Sequence, residues 1–295
     1  MDLQKERVIL AKKSTELRSR KHIPERLSQL IVAIAEEQIA YREKLKVRVP
    51  KARATKEQHI LGAPMIAPAD FTWNKRDTEQ LFKRLLRFLC TADVSLEDPL
   101  RASAQVLDAA LKSKELVLHD VLCAVVAGAD DIFVAWAKRT PAAPNLLYFL
   151  SSSALAPSLE ATADALATKR NAEEAWSHGH CPICGSLPFI GHLESKEGLR
   201  YHSCSLCKHS YRVPRLQCPF CLEENPQGTV SYTAEEEKGF QLLTCSKCHN
   251  YIKLADFREL DSPHAPVLDD LLSLAFDYKA RSMGFSRPAL SAWGV

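Results

Sequence analysis

The sequence contains no long apolar segment and has few glycine or aromatic residues. Its longest apolar runs, residues 30–35 and 121–127, are far shorter than the roughly 20 residues that a membrane-spanning helix needs. Only 10 of the 295 residues are glycine and 7% are aromatic, which argues against a fibrous chain. Because 46% of the residues are hydrophobic, the chain can bury more than one core and is not intrinsically disordered. We therefore expect a soluble globular protein that does not insert into a membrane.

The N-terminal segment has no recognisable export signal. Residues 1–20 lack the continuous apolar core of a secretory signal, and Asp2, Glu6 and Glu16 argue against an organelle transit peptide. Residues 1–60 carry 15 Lys or Arg and 8 Asp or Glu, although the whole chain has a net charge of only +3. Such a basic segment can meet nucleic acid or an acidic protein, but its interleaved acids favour a solvated helical face. The sequence predicts a cytoplasmic protein.

Cysteine usage is the strongest signal in the sequence. Cys90 and Cys123 stand alone on helical apolar stripes, which predicts two small buried side chains. The other eight cysteines form four C-x-x-C pairs, and in a chain without an export signal such pairs indicate metal ligands rather than disulfides. The candidate ligands are Cys181, Cys184, Cys204, Cys207, Cys218, Cys221, Cys245 and Cys248.

Spacing and repetition predict which pairs share a metal. Between the first and second pairs lie 19 residues, between the third and fourth lie 23, and only 10 separate the second from the third. The two halves also repeat, because CPIC and CSLC in the first correspond to CPFC and CSKC in the second. Consecutive pairing gives two tandem zinc-ribbon or rubredoxin-like modules, whereas a cross-braced, RING-like pairing would break the repeat. Redox dithiols are disfavoured because no helix follows any of the pairs.

Apolar periodicity predicts helices on both sides of the cysteine region. Ser95, Glu97 and Asp98 ahead of Pro99 suit a helix start, and Pro24 suits a helix first turn. The predicted helices cover residues 24–50, 77–89, 95–110, 115–127, 130–138, 145–155, 158–175 and 268–284. Short strand-like runs occupy residues 187–191, 200–202, 229–232 and 240–243.

These patterns predict a multi-domain, mainly α protein. An N-terminal α-helical bundle is followed by two tandem rubredoxin-like or zinc-ribbon modules, each with four cysteines, and by a C-terminal helix. The expected domains are residues 1–176 (helical), 177–212 (first metal-binding ribbon), 213–258 (second metal-binding ribbon) and 259–295 (linker and helix).

The cysteine pattern leaves the metal open, because four thiolates suit both zinc and iron. A divalent ion held by four thiolates leaves a charge of about −2, which calls for nearby cations. We expect these to include Lys208, Arg212, Arg215 and Lys253. The six histidines of the region are expected near the metals or on the surface, not as ligands: His178, His180, His192, His202, His209 and His249. No catalytic motif is visible, so we expect a non-enzymatic protein.

The motif string as a whole resembles the formate dehydrogenase accessory protein FdhE family. The likeness is carried by CPICGSLP at 181–188, GLRYHSCSLC at 198–207, YRVPRLQCPFC at 211–221, CSKCHNYIKL at 245–254 and VLDDLLSLAFDYKARSMGFSR at 267–287. The sequence departs from the family pattern at His202-Ser203 and Ser210-Tyr211.

The resemblance implies a cytoplasmic maturation factor that binds the catalytic subunit of formate dehydrogenase. It further implies rubredoxin-like iron sites at the eight cysteines. Two other functions fit a ribbon protein: nucleic-acid binding and rubredoxin-type electron transfer. Residues 181–253 hold 8 Lys or Arg against 7 Asp or Glu, so this nearly neutral region is a poor phosphate binder.

Overall fold

The computed structural model describes residues 3–20, 23, 25–91, 99–171 and 174–289. Within them the N-terminal part is helical, with the following elements: α1 (Leu3–Ser19), α2 (Glu25–Arg42), α3 (Lys56–Ile60), α4 (Lys75–Thr91), α5 (Pro99–Lys112), α6 (Leu118–Ala127), α7 (Asp131–Ala137) and α8 (Leu146–Ala167). Six strands and two helices follow: β1 (Pro188–Glu194), β2 (Leu199–Cys204), β3 (Ser210–Val213), β4 (Thr229–Tyr232), β5 (Phe240–Cys245), β6 (Tyr251–Asp256), α9 (Pro266–Leu272) and α10 (Leu274–Ser282). Among the helices of these ranges, none combines the length and apolarity that crossing a bilayer demands.

Several predicted helices are present, but their bounds differ. Helix α1 has no counterpart in the prediction, because its charged residues obscure the apolar period. Helix α8 is continuous through Pro157, where the pattern predicted a break. The proline ring frees the carbonyl four residues earlier, and that carbonyl, on Ser153, accepts a hydrogen bond from Gln38 Nε2 at 2.7 Å. The predicted helix-start residues Pro24, Ser95, Glu97 and Asp98 lie outside the described residues.

Helices α4, α5 and α8 surround the first hydrophobic core. The predicted stripe of α4 supplies Leu81, Phe82, Leu85 and Leu86, none of which is more than 2% exposed. Leu107 and Leu150 complete the centre of this core, which contains no residue of the cysteine region. The periodic pattern of α4 therefore identified the side chains of this helix that are buried.

The two cysteine-bearing segments share one six-stranded sheet, in the order β3-β2-β1-β6-β5-β4. Each segment contributes three antiparallel strands, and β1 pairs with β6 in parallel, from Ile190 opposite Lys253 to Leu193 opposite Asp256. We call this parallel pair the seam. The prediction of a mainly α chain is therefore correct only in part, because the two units form one continuous sheet. Strands β3 and β6 were not predicted; in β6 all six residues are buried, so no alternation of apolar and polar side chains marks the strand.

The predicted C-terminal helix is two helices, α9 and α10, with a break at Ser273. The Ser273 hydroxyl donates to the carbonyl of Asp269, so the side chain competes with the helical ladder at this point. Helix α1, strands β5 and β6, and the two C-terminal helices form a common core that includes Leu17, Phe240 and Leu271. The N-terminal helix thus packs on the C-terminal part of the chain.

Buried charges attach α9 and α10 to the seam. Lys253 Nζ lies 3.0 Å from Asp270 Oδ1 and 2.5 Å from Asp277 Oδ2, and Arg287 pairs with the same two carboxylates. Tyr251 donates its hydroxyl to Asp277 at 2.6 Å. We call these five residues the seam network. Lys253 is therefore occupied by carboxylates, and its predicted role in neutralising a metal site is wrong.

Candidate metal centres

Each C-x-x-C pair forms the same tight turn. The backbone N–H of the residue after the second cysteine donates to the carbonyl of the first cysteine, at 2.8 to 3.2 Å in the four turns. The residue that donates has a left-handed backbone in every case: Gly185 (φ 78°), Lys208 (φ 57°), Leu222 (φ 60°) and His249 (φ 54°). Only the glycine was predicted from sequence. The internal repeat points to the other three, because equivalent turns require equivalent backbones.

The first and second turns bring together four sulfurs, which we call the first thiolate group. It consists of Cys181, Cys184, Cys204 and Cys207, whose Sγ atoms lie within 4.8 Å of one another. The Sγ atoms of Cys184 and Cys204 are 3.5 Å apart, and those of Cys181 and Cys207 are 3.7 Å apart. A tetrahedron with metal–sulfur bonds of about 2.3 Å has edges of about 3.8 Å. The spacing of the donors therefore fits a tetrahedral thiolate-bound ion.

The third and fourth turns form the second thiolate group in the same way. Cys218, Cys221, Cys245 and Cys248 again place their sulfurs within 4.8 Å of one another. The Sγ distances are 3.8 Å between Cys218 and Cys248 and 3.6 Å between Cys221 and Cys245. Consecutive pairing, which the repeat predicted, is the arrangement that the fold adopts. Each group can hold one metal ion, and the donor set suits zinc and iron alike.

The first group is part of the protein interior. Its cysteines are at most 1% exposed and pack in one core with Phe71, Leu122 and Leu155 from the helical part. Two backbone hydrogen bonds fix the first turn to the loop after α3, from Met65 N to the Pro182 carbonyl and from Ile66 N to the Ile183 carbonyl, each 2.9 Å. The helical residues therefore surround this group.

The second group lies at the surface. Cys221 and Cys248 are half-buried, whereas Cys218 and Cys245 are each 2% exposed. Its cysteines belong to none of the hydrophobic cores formed by the described residues. The two units touch at Gly179, where an added Cβ would lie 2.3 Å from the Pro219 carbonyl. Only glycine allows this close approach, because its φ is also +80°.

Burial and hydrogen bonds between the thiols shift the pKa values of the first group. Burial raises the pKa of Cys181 and of Cys207 well above the ordinary value. Hydrogen bonds from the neighbouring thiols lower the pKa of Cys184 well below that value. Four thiolates together are therefore unfavourable in this interior without a cation among them, and a metal ion would supply that charge.

Half-buried Lys208 and buried Arg200 each lie beside one of the groups. Lys208 lies beside the first: its Nζ donates to the Ser205 carbonyl and stands 4.7 Å from the Phe189 ring centroid. Arg200 accompanies the second, donating to the carbonyls of Arg215 and Gln217 at 3.1 Å each. Burial lowers the pKa of Arg200 to about 10, a shift that the Cys218 thiolate opposes. Lys208 was predicted for this role, whereas Arg200 was missed because no spacing rule relates it to the cysteines.

The six histidines of the cysteine region and the two isolated cysteines were predicted not to bind metal. Neither thiolate group includes a histidine. His178 and His180 pack around Trp176 with ring centroids 4.6 and 5.8 Å away, and His192 stacks on Tyr201. His202 is fully buried, which lowers its pKa well below the ordinary value. His209 and His249 each follow the second cysteine of a turn by one or two positions. Cys90 and Cys123 are half-buried rather than fully buried.

One polar series was not visible in the sequence. The Ser203 hydroxyl lies 3.4 Å from His264 Nε2, and His264 Nδ1 lies 2.9 Å from Asp269 Oδ2. Ser203 is fully buried and also bonds Ser210 Oγ at 3.0 Å, while Asp269 pairs with Lys13 at 2.6 Å. This arrangement attaches α1 and α9 to strands β2 and β3.

Comparisons with known proteins agree with this site. Residues 180–215 match the family model described as the central domain of FdhE. An FdhE homolog from Aquifex aeolicus is 33% identical over 144 residues, which are 48% of this chain and 50% of that protein. An FdhE homolog from Haemophilus influenzae is 37% identical over 114 residues, 38% of this chain and 37% of that protein. The resemblance to the FdhE family is confirmed.

The likeness to FdhE extends to the fold. The crystal structure of the FdhE protein from Pseudomonas aeruginosa matches with a TM-score of 0.67, covering 97% of this chain and 96% of that chain. At 21% identity, this match shows that the two proteins share a fold. The matched sequence spans half or less of the length of the curated FdhE homologs.

Proposed function

We propose that this protein binds two metal ions and acts as an accessory protein in the maturation of formate dehydrogenase. The observation that carries the proposal is the pair of thiolate groups with tetrahedral sulfur spacing in an FdhE-like fold. The ligands would be Cys181, Cys184, Cys204 and Cys207 for one ion and Cys218, Cys221, Cys245 and Cys248 for the other. The resemblance to FdhE favours iron, and zinc fits the same donors.

The metals would act structurally. When bound, each ion supplies positive charge to four thiolates and cross-links two turns, and no position remains open for a substrate. This fits a protein that works by binding a partner rather than by catalysis. The proposed division of the chain keeps the predicted boundaries: residues 1–176, 177–212, 213–258 and 259–295.

The proposed partner is the catalytic subunit of formate dehydrogenase, bound in the cytoplasm. Two features support a protein partner over nucleic acid: the FdhE likeness and the almost balanced charge of residues 181–253. Several cations of this region are also engaged inside the fold, as Arg200 and Lys253 are. They are therefore not available to phosphate groups.

Metal analysis tests the first half of the proposal. Protein from iron-replete and from zinc-replete medium should contain two metal ions per chain in at least one case. Serine at Cys218 and Cys221 together should lower this to one ion, whereas serine at Cys90 and Cys123 together should leave it at two. Fewer than one ion per chain in both media would contradict metal binding.

Co-purification tests the second half. Tagged protein expressed in cells that produce formate dehydrogenase should retain the catalytic subunit, identified by mass spectrometry. The Cys90→Ser/Cys123→Ser variant is the matched control. Its two thiolate groups are intact, so it should retain the subunit as the wild-type protein does. Recovery of nucleic acid without the subunit, with a steep salt dependence, would instead support the nucleic-acid function.

A further inference from the structure

A cavity of 330 Å³ lies beside the first thiolate group. Helices α1, α2 and α8 form three of its walls, and the turn of residues 205–208 and the segment 264–268 form the others. Neither the metal sites nor the proposed partner role accounts for this space. Concave sites of this kind, open to solvent on one side, are where proteins most often bind small molecules.

The walls of the cavity are mainly apolar. Ile34 of α2 and Phe149 and Leu159 of α8 line it, and all three side chains are buried. Its small side chains, Ala35 of α2 and Ala156 of α8, leave the space between the helices open. Apolar molecules enter such a space readily, because contact with apolar walls removes their surface from water.

The charged groups of the cavity are partly paired, and they include three carboxylates (Glu6, Glu160 and Asp164) and two cations (Arg42 and Lys208). Arg42 pairs with Glu6 at 3.1 Å and also with Glu160. Lys208 donates to the Ser205 carbonyl on the same wall. A ligand with a full charge would therefore compete with existing ion pairs, whereas an uncharged polar group could still be accommodated beside Arg42.

The volume limits the size of the ligand. A cavity of about 150 Å³ holds one benzene ring, and ligand pockets begin at about 300 Å³. We propose that this cavity is a binding site for an uncharged, mainly apolar small molecule about as large as two aromatic rings. Because one wall is the turn that carries Cys207, the bound molecule would contact the loop of the first thiolate group.

Fluorescence titration of the full-length protein with Prodan (6-propionyl-2-dimethylaminonaphthalene), a neutral probe with two fused aromatic rings, tests the proposal. The wild-type protein should bind one probe per chain saturably, and binding should disappear on unfolding. Ala35→Phe and Ala156→Phe place a ring in the cavity from opposite walls and should each weaken binding by about tenfold or more. Ala40→Phe is the matched control, because Ala40 lies on α2 but lines a different cleft.

The outcomes are distinct. The site is supported if the wild-type protein and Ala40→Phe bind the probe tightly while Ala35→Phe and Ala156→Phe bind it weakly. The far-UV dichroism of both cavity variants must be unchanged, which shows that they are folded. Absence of saturable binding in native wild-type protein overturns the proposal. The proposal is also overturned if natively folded Ala35→Phe and Ala156→Phe bind the probe with the wild-type affinity, because the probe would then occupy another surface. Since none of these readouts involves metal or formate dehydrogenase, they are independent of the proposed function.

Discussion

The first and second thiolate groups have the same local structure and different surroundings. Both consist of two C-x-x-C turns with a left-handed residue after each, and both space their sulfurs for a tetrahedron. The first is fully buried against helices of the N-terminal part, whereas two cysteines of the second are half-buried. Local sequence thus fixes the donor geometry, while the rest of the chain decides how strongly each metal is coupled to folding.

The largest difference is expected for loss of one ligand. Cys204 and Cys245 are equivalent positions, and serine at either should release one ion. Cys204→Ser also leaves a hydroxyl without a metal in the core that the first group shares with the helical part, so the free energy of unfolding should fall by about 5 kcal/mol or more. For Cys245→Ser we expect about half of that. Denaturant titration followed by far-UV dichroism measures both losses, and equal losses would mean that burial does not distinguish the groups.

Replacement of Lys253 tests whether both thiolate groups depend on the seam network. Lys253→Met leaves Asp270 and Asp277 with Arg287 as their remaining cation, which should cost about 3–5 kcal/mol. Because the strand that carries Lys253 belongs to the second unit, the second group should become more labile while the first keeps its metal. Lys238→Met, an exposed position, is the control. A loss below about 0.5 kcal/mol, the usual range at surfaces, would show that the seam network is dispensable.

Removal of metal by a chelator should occur in two phases, with one ion in each. The second group should lose its ion about a hundredfold faster, since a chelator reaches its half-buried sulfurs without opening the core. Absorbance of a metallochromic chelator gives both rates. The Cys218→Ser/Cys221→Ser variant should lack the fast phase. If this variant lacked the slow phase instead, the fast phase would belong to the first group.

Acid should destabilise the seam. Burial acts to raise the pKa of Asp270, but the charges of Arg287 and Lys253 outweigh it and hold this pKa below the ordinary value. A lowered folded-state pKa contributes stability above about pH 4 that is lost as the pH falls further. The unfolding free energy should therefore drop as the pH falls below about 4. Asp270→Asn should flatten the profile, and an unchanged pH profile would contradict the role of this carboxylate.

The smallest effects concern the turn residues. Gly185 and His249 both have left-handed backbones, but only the glycine adopts this conformation without strain. Gly185→Ala should destabilise the protein by about 1 kcal/mol, and His249→Gly should stabilise it by about 0.5–1 kcal/mol. Thermal unfolding with metal bound resolves both signs. The same sign for both variants would show that side-chain contacts, not the backbone, dominate at these positions.

Much of the candidate site was predictable because it depends on short-range geometry. Two cysteines separated by two residues can reach one ion from a single turn, and the repeat of CPIC with CPFC indicated consecutive pairing. The α4 stripe was predictable for a similar reason, because its period of 3.6 residues is local. Helix α1 was missed because its buried Lys13 and Ser14 interrupt the apolar pattern, and Lys13 is buried only by virtue of its pairing with Asp269.

The sequence by itself determined the eight clustered cysteines, their consecutive grouping and the likeness to FdhE, since each of these is written in residues close together along the chain. Only the tertiary structure decided that one group is buried against the helical part and the other lies at the surface. It also decided the parallel seam between β1 and β6, the buried charges of Lys253 and Arg287, and the cavity beside Cys207. These features depend on contacts between distant segments, and no local pattern specifies such contacts.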